Sequence, residues 1–280
     1  MPSKIIDGKK IAETIISDIK KKIKNSKEKP GIALVLVGNN PASEIYVNSK
    51  EKMSNEAGFY VERFDLDEKI GEIELMKLVT ELNQKPNLHG ILVQLPLPKH
   101  IDENLITNSV LPHKDVDGFT HINLGYLFSG QEKLAPATAK AVLHLIKATG
   151  TKIEGKNAVV VGRSNIVGKP VAMMLVEENA TVTICHSRTK NLAEHTKKAD
   201  ILVVAAGKPS LITKNMVKEG AVVIDVGINR VDGKIVGDVD FDNVKEVAGF
   251  ITPVPGGVGP MTIAMLMQNT LKAMELAKRL

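Results

Sequence analysis

Ala158-Val159-Val160-Val161 runs directly into Gly162-Arg163-Ser164-Asn165-Ile166-Val167-Gly168-Lys169-Pro170. A short uncharged apolar run, a turn bounded by glycines and a helix start follow one another here. A continuous apolar run is the signature of a strand buried on both faces, as in a parallel sheet. In such sheets a nucleotide phosphate meets the backbone at this strand–turn–helix junction. The spacing lacks the generic G-x-G-x-x-G, so nucleotide binding and a plain connecting turn both stay open.

Downstream, a helix over Pro170–Glu178 leads to a strand, Thr181–Ile184, that ends in Cys185-His186-Ser187-Arg188-Thr189. NAD binders place an acid at this strand end for the ribose hydroxyls, whereas NADP binders omit it and supply arginine. The acid is missing, while Arg163, Arg188, Ser164 and Ser187 are present. A guanidinium matches a phosphate in fork geometry, so the pattern points to NADP. Two merely solvated arginines are the other reading, and His186 reads equally as a cofactor contact or a surface residue. Cys185 reads as a small apolar residue packed at the strand end.

The alternation continues on both sides. Beyond lie helix Leu192–Lys198 and strands Ile201–Ala205 and Ala221–Val226, then a closing helix over Thr262–Arg279. Upstream, a first helix carries Ala12, Ile15, Ile16, Ile19 and Ile23 on one face. Strand Ile32–Val37, helix Ala42–Ala57, strand Tyr60–Leu66, helix Ile73–Leu82 and strand Gly90–Leu95 follow, then a loop-rich passage around 111–119. A helix over Thr138–Thr149 starts the second series. This predicts an α/β protein with two α/β domains around a cleft, the second Rossmann-like and NADP-binding.

Composition narrows the function. The chain has 280 residues with 43% apolar and 25% charged residues, as in ordinary globular proteins. Aromatics are 3% with no Trp, which argues against stacking platforms for single-stranded nucleic acid. The net charge is +5. Its densest cluster, Lys20, Lys21, Lys22 and Lys24, reads as a solvated helix face. One cysteine excludes a disulfide framework and a thiolate-rich metal site, and no His/Asp/Glu spacing suggests a metal. The first residues lack the apolar stretch of a signal peptide, and no run is long enough for a membrane helix. A cytoplasmic protein with no nucleic-acid or membrane partner is expected.

In the first half, Tyr46 and Lys50 lie at i, i+4 on one helix face. They read either as a catalytic pair sharing a proton path or as an amphipathic surface pair. Gln94 follows an apolar strand and begins Gln94-Leu95-Pro96-Leu97-Pro98, where an amide can orient a ligand. Asp117, in Lys114-Asp115-Val116-Asp117-Gly118, reads as a ligand contact or as a turn former. The run Thr252-Pro253-Val254-Pro255-Gly256-Gly257-Val258-Gly259-Pro260-Met261-Thr262 is a stiff loop whose backbone can approach a flat ligand.

Taken in order, these motifs, together with Asn39-Asn40-Pro41-Ala42-Ser43 ahead of Tyr46 and Lys50, resemble the bifunctional methylenetetrahydrofolate dehydrogenase/cyclohydrolase family along essentially the whole chain. The resemblance implies oxidation of 5,10-methylenetetrahydrofolate with NADP, then hydrolysis to 10-formyltetrahydrofolate, by a homodimer acting on tetrahydrofolate derivatives. It implies a catalytic role for Lys50, with Tyr46 and Gln94 assisting and Asp117 binding the pterin. Pro255, Gly256 and Gly257 would wall the folate. Gly162, Arg163, Ser164, Ser187, Arg188 and Ile228 would hold the cofactor. It divides the chain into a folate domain, 1–135, with helix 261–280 packing back on it, and an NADP domain, 136–260. One departure stands out: Pro136-Ala137-Thr138-Ala139 replaces the usual Pro-Cys-Thr-Pro, removing a proline preorganised for a first helical turn.

Overall fold

The computed structural model describes residues 3–26 and 28–278. The first half of the chain runs β1 (Lys4–Ile5), α1 (Gly8–Lys24), β2 (Gly31–Val37), α2 (Pro41–Ala57), β3 (Tyr60–Leu66), α3 (Glu72–Gln84), β4 (Gly90–Val93), α4 (Glu103–Ser109), α5 (His121–Phe128) and α6 (Ala137–Ala148). The second half runs β5 (Asn157–Val161), α7 (Gly168–Glu177), β6 (Thr181–Cys185), α8 (Leu192–Thr196), β7 (Ile201–Val204), β8 (Val222–Asp225), β9 (Asn229–Val231), β10 (Lys234–Val236), α9 (Phe241–Val244), β11 (Phe250–Ile251) and α10 (Val258–Ala277).

Two compact units form. One comprises residues 14–137 with 263–278, the other residues 3–13 with 138–262. The first holds a parallel three-stranded sheet, β3-β2-β4. Its central strand β2 is buried along its whole length, which is why Gly31–Val37 reads as unbroken apolar sequence. Leu75, Val79 and Leu82 of α3 pack with Ala33, Val35, Ile91 and Val93 of the sheet. Burying each large aliphatic side chain here contributes roughly 1.5–3 kcal/mol.

The second unit holds a six-stranded sheet in the order β1-β11-β8-β7-β5-β6, parallel throughout, and a separate β9–β10 hairpin. Strand β5 has β6 on one side and β7 on the other. The strand order therefore reverses at β5, and such a reversal opens a crevice at the carboxyl ends of the flanking strands. Gly162 and Ala205 stand at those ends.

The structure departs from the expected division at the amino terminus. Residues 3–13 were assigned with the first domain, yet Lys4 and Ile5 pair with Phe250 and Ile251 at the sheet edge of the second unit. A strand this short carries no periodic signal. Two further helices, α4 and α5, flank the loop-rich passage around 111–119, in sequence where no element is expected; Asp102 and Thr120 cap them through side-chain oxygens. Helix α10 starts at Val258, inside the run expected to be a stiff loop, with Pro260 in its first turn where a missing N–H costs nothing. The end of the expected closing helix, Arg279, lies outside the described residues. Helix α6 starts at Ala137 without the family's proline, and Ala137 and Ala139 are both buried.

Candidate active site

Helix α2 is fixed at both ends. Asn40 accepts hydrogen bonds from the Ala42 and Ser43 N–H groups, Pro41 opens the first turn, and Gly58 closes the helix in the left-handed conformation. The Asn-Asn-Pro-Ala-Ser motif is thus a helix start. The buried face carries Ser43, Val47, Lys50, Ser54 and Ala57. Lys50 consequently points inward, and only 7% of it is exposed.

Its Nζ donates to Gln94 Oε1 at 2.9 Å, while Gln94 Nε2 donates to the Leu95 carbonyl at 2.7 Å. Gln94 leaves β4 directly, its own N–H bonded to Val35 of β2, so the sheet aims it. Burial lowers the Lys50 pKa, and the charge of Asp117 partly restores it. The coupling runs both ways: burial raises Asp117 to about 6, with Lys50 opposing the rise and Asp115 adding to it. Lys50, Gln94 and Asp117 therefore form one electrostatic cluster. Tyr46 shares the helix face and is half-buried, with its phenol pKa raised by burial. Among the described residues no hydrogen bond joins the Tyr46 phenol to the Lys50 ammonium, which donates to the amide of Gln94.

Asp115 is the residue that sequence reasoning missed. Its Oδ1 accepts from the Gly118 and Phe119 N–H groups, and its Oδ2 from Thr120 N–H and Asn123 Nδ2. It makes the turn that the sequence had offered to Asp117. Asp117 is left with no hydrogen-bond donor among the described residues, facing a buried ammonium. Asn269 of α10 donates to the carbonyls of Val116 and Ala135, bracing the same loop from a distant part of the chain.

In the second unit, Gly162 leaves β5 with φ +137° and its N–H bonded to the Cys185 carbonyl. A Cβ there would lie 2.2 Å from the Ala205 carbonyl oxygen, so only glycine permits this approach. Ser164 Oγ accepts from the N–H groups of Val167 and Gly168 where α7 starts. Its hydroxyl proton remains available to an acceptor. The turn after β6 is internally bonded, His186 N–H to Thr189 Oγ1 and Arg188 N–H to His186 Nδ1. His186 thus shapes the turn. Arg163, Ser187 and Arg188 stand exposed beside one another's strand ends, because Val161 and Cys185 are in register. A tight glycine turn, a helix start and two exposed guanidiniums fit a phosphorylated dinucleotide. Ile228 follows β8 and is 48% exposed.

Pro255, Gly256 and Gly257 lie in this unit, between β11 and the start of α10. The Lys9 N–H donates to the Gly256 carbonyl at 2.9 Å, and Gly8 is so close that a Cβ would lie 2.0 Å from the Gly257 oxygen. The start of α1 therefore braces this loop. Lys50, Gln94 and Asp117 come together in the first unit; the six cofactor residues and the Pro-Gly loop belong to the second.

The chain matches known proteins along its length. Residues 6–117 match the model of the tetrahydrofolate dehydrogenase/cyclohydrolase catalytic domain, and residues 136–278 that of its NAD(P)-binding domain. The bifunctional protein FolD of Nitrosospira multiformis is 55% identical, over 99% of this chain and 98% of that protein. The crystal structure of the bifunctional FolD of Campylobacter jejuni has a TM-score of 0.96 at 49% identity, covering 99% of this chain and 100% of that one. The Trypanosoma brucei methylenetetrahydrofolate dehydrogenase-cyclohydrolase, solved with NADP cofactor and an inhibitor, has a TM-score of 0.96 at 37% identity over 100% of both chains. No helix among the described residues is long and apolar enough to cross a membrane. The chain belongs to the tetrahydrofolate dehydrogenase/cyclohydrolase family and is a bifunctional enzyme with a catalytic and an NAD(P)-binding domain.

Proposed function

We propose that the Lys50, Gln94 and Asp117 cluster is where the folate reacts, in two consecutive steps. The observation that carries this reading is a buried ammonium held by a neutral amide, with its nearest counter-charge left unbonded. The enzyme takes 5,10-methylenetetrahydrofolate to the 5,10-methenyl cation and then to 10-formyltetrahydrofolate. NADP, when bound, supplies the hydride acceptor for the first step. Gly162, Arg163, Ser164, Ser187, Arg188 and Ile228 hold it, the arginines and hydroxyls at its phosphates and Ile228 on the nicotinamide side.

The protein's own part in the first step is alignment, which Asp117 serves by accepting hydrogen bonds from the pterin edge. The backbone of Pro255, Gly256 and Gly257 adds contact to the folate. The second step needs proton movement. Water bonds to the methenyl carbon and gives up both of its protons as the formyl carbonyl forms, the carbon–N5 bond breaks with its electron pair going to N5, and N5 takes one proton, so one proton is released overall. Lys50 is suited to this exchange because burial lowers its pKa and so eases release of a proton. Gln94 keeps the ammonium in place, and Tyr46 lines the same helix face. The enzyme works as a cytoplasmic homodimer, as the family resemblance implies; sedimentation of the purified chain tests the dimer.

Incubation with methylenetetrahydrofolate and NADP, following NADPH and the methenyl chromophore together, tests the function. Both should rise and the methenyl signal should then decay faster than in buffer. NADPH formation without accelerated decay would remove the second activity.

A further inference from the structure

Beyond the cofactor turn, the second unit contains a buried carboxylate that no part of this scheme uses. Asp238 has no exposed surface. Its Oδ2 accepts from the N–H groups of Ala206, at 2.6 Å, and Gly207, at 2.8 Å. Its Oδ1 accepts from Lys208 N–H at 2.9 Å and from Asn229 Nδ2 at 2.8 Å. Ala206–Lys208 is the exit loop of β7, and Asn229 follows Ile228 in the exit segment of β8. One carboxylate therefore ties the loop that leaves β7, beside the strand-order reversal, to the segment that leaves β8, the next strand of the sheet. The tie is itself held: Asp225, at the end of β8, accepts from the backbone N–H groups of Gly227, Asp238 and Val239.

We infer that Asp238 is a positioning residue for the dinucleotide, setting the β7 exit loop against the Gly162 turn and Ile228 against the nicotinamide side. The inference rests on the reading of this unit as the NADP site. The mechanical link is the contact between Gly162 and the Ala205 carbonyl, where there is no room for even a Cβ. A shift of the β7 loop toward β5 closes on the turn that receives the pyrophosphate. The chemistry of the tie is specific to a carboxylate. All four partners are donors, and an ionised carboxylate is acceptor-only. An asparagine there offers one oxygen and turns its NH2 toward two N–H groups, so part of the loop loses its bonds and moves.

The test uses Asp238→Asn and Asn229→Ala, the latter leaving the carboxylate and its three backbone bonds in place. NADP affinity is measured by titration, and both activities are assayed. Asp238→Asn should weaken NADP about tenfold or more, and Asn229→Ala about threefold, seen as a raised KM for NADP in the dehydrogenase. Hydrolysis of supplied methenyltetrahydrofolate, which uses no nicotinamide, reports that the chain is folded. Wild-type NADP affinity in folded Asp238→Asn would overturn the inference. Should that variant fail to fold, unchanged NADP affinity in Asn229→Ala would do so. A wild-type chain that bound no NADP would instead remove the reading of the site.

Discussion

Buried carboxylates occur in both units, and they are treated in opposite ways. Asp225 and Asp238 in the nucleotide unit are saturated by N–H donors, and so is Asp115 in the catalytic unit. Asp117, only two residues from Asp115, has no donor among the described residues. Asp117 and Asp225 are nevertheless both raised to about 6, mainly by burial. For Asp225 three backbone N–H groups oppose the rise; for Asp117 the opposition comes from the Lys50 charge. Saturated carboxylates hold loops, whereas the unsaturated one keeps its acceptor capacity for a ligand.

Substitutions can break this contrast, and the largest effect is expected at Lys50. Lys50→Met keeps much of the apolar stem and removes the charge and its donors. Cyclohydrolysis should fall by about 10²–10⁴-fold, the usual worth of positioned proton transfer. Hydride transfer, which rests on alignment, should survive in part, so the methenyl intermediate accumulates. Equal loss of both activities with folate still bound would make Lys50 an orienting group.

Arg163→Ala probes the other unit and should weaken NADP by roughly 1–3 kcal/mol, leaving NAD much less affected. Equal loss for both dinucleotides would detach Arg163 from the extra phosphate. Asp115→Ala should cost about 1–3 kcal/mol of stability and folate affinity as well, because buried N–H groups lose their acceptor. Denaturant unfolding measures the first, and a shift in midpoint with unchanged slope is expected.

Asp117→Asn sharpens the contrast, because its sign is reversed. The folded pKa of Asp117, about 6, lies above its ordinary value of 3.8. The folded state therefore favours the proton, and that contribution is full below pH 3.8 and lost as pH rises through about 6. The neutral amide escapes the loss. Asp117→Asn should raise stability at pH 8 by up to about 3 kcal/mol, with no gain near pH 4, while folate affinity falls. Thermal unfolding at the two pH values, with folate and NADP titrated separately, checks both signs.

Much of the fold was legible because long elements carry their own periodicity. The buried isoleucines of α1 and the unbroken apolar run of β2 are examples. Short elements depend on distant partners: β1 exists because β11 offers an edge, and nothing in Lys4-Ile5 announces it. The β9–β10 hairpin had a readable signal in Asp232-Gly233, both at positive φ as a tight hairpin turn requires, but its strands are too short to alternate visibly. At the site, Lys50, Gln94 and Asp117 gained meaning only as an ordered set; singly, each matched a commonplace surface or turn pattern. Asp115 and Asp238 were illegible because three of the four partners of each are backbone N–H groups, which every sequence supplies. Only the folded chain shows which ones converge.

The account's central claim is that Lys50 and Asp117 are coupled charges that no hydrogen bond joins among the described residues. Carbon NMR of the Asp117 carboxyl across a pH titration tests it most directly, in wild type and in Lys50→Met. The account predicts a midpoint near 6 in wild type and a higher one in the variant, since the ammonium that opposes protonation is gone. A midpoint near the ordinary 3.8, unmoved by the substitution, would contradict it.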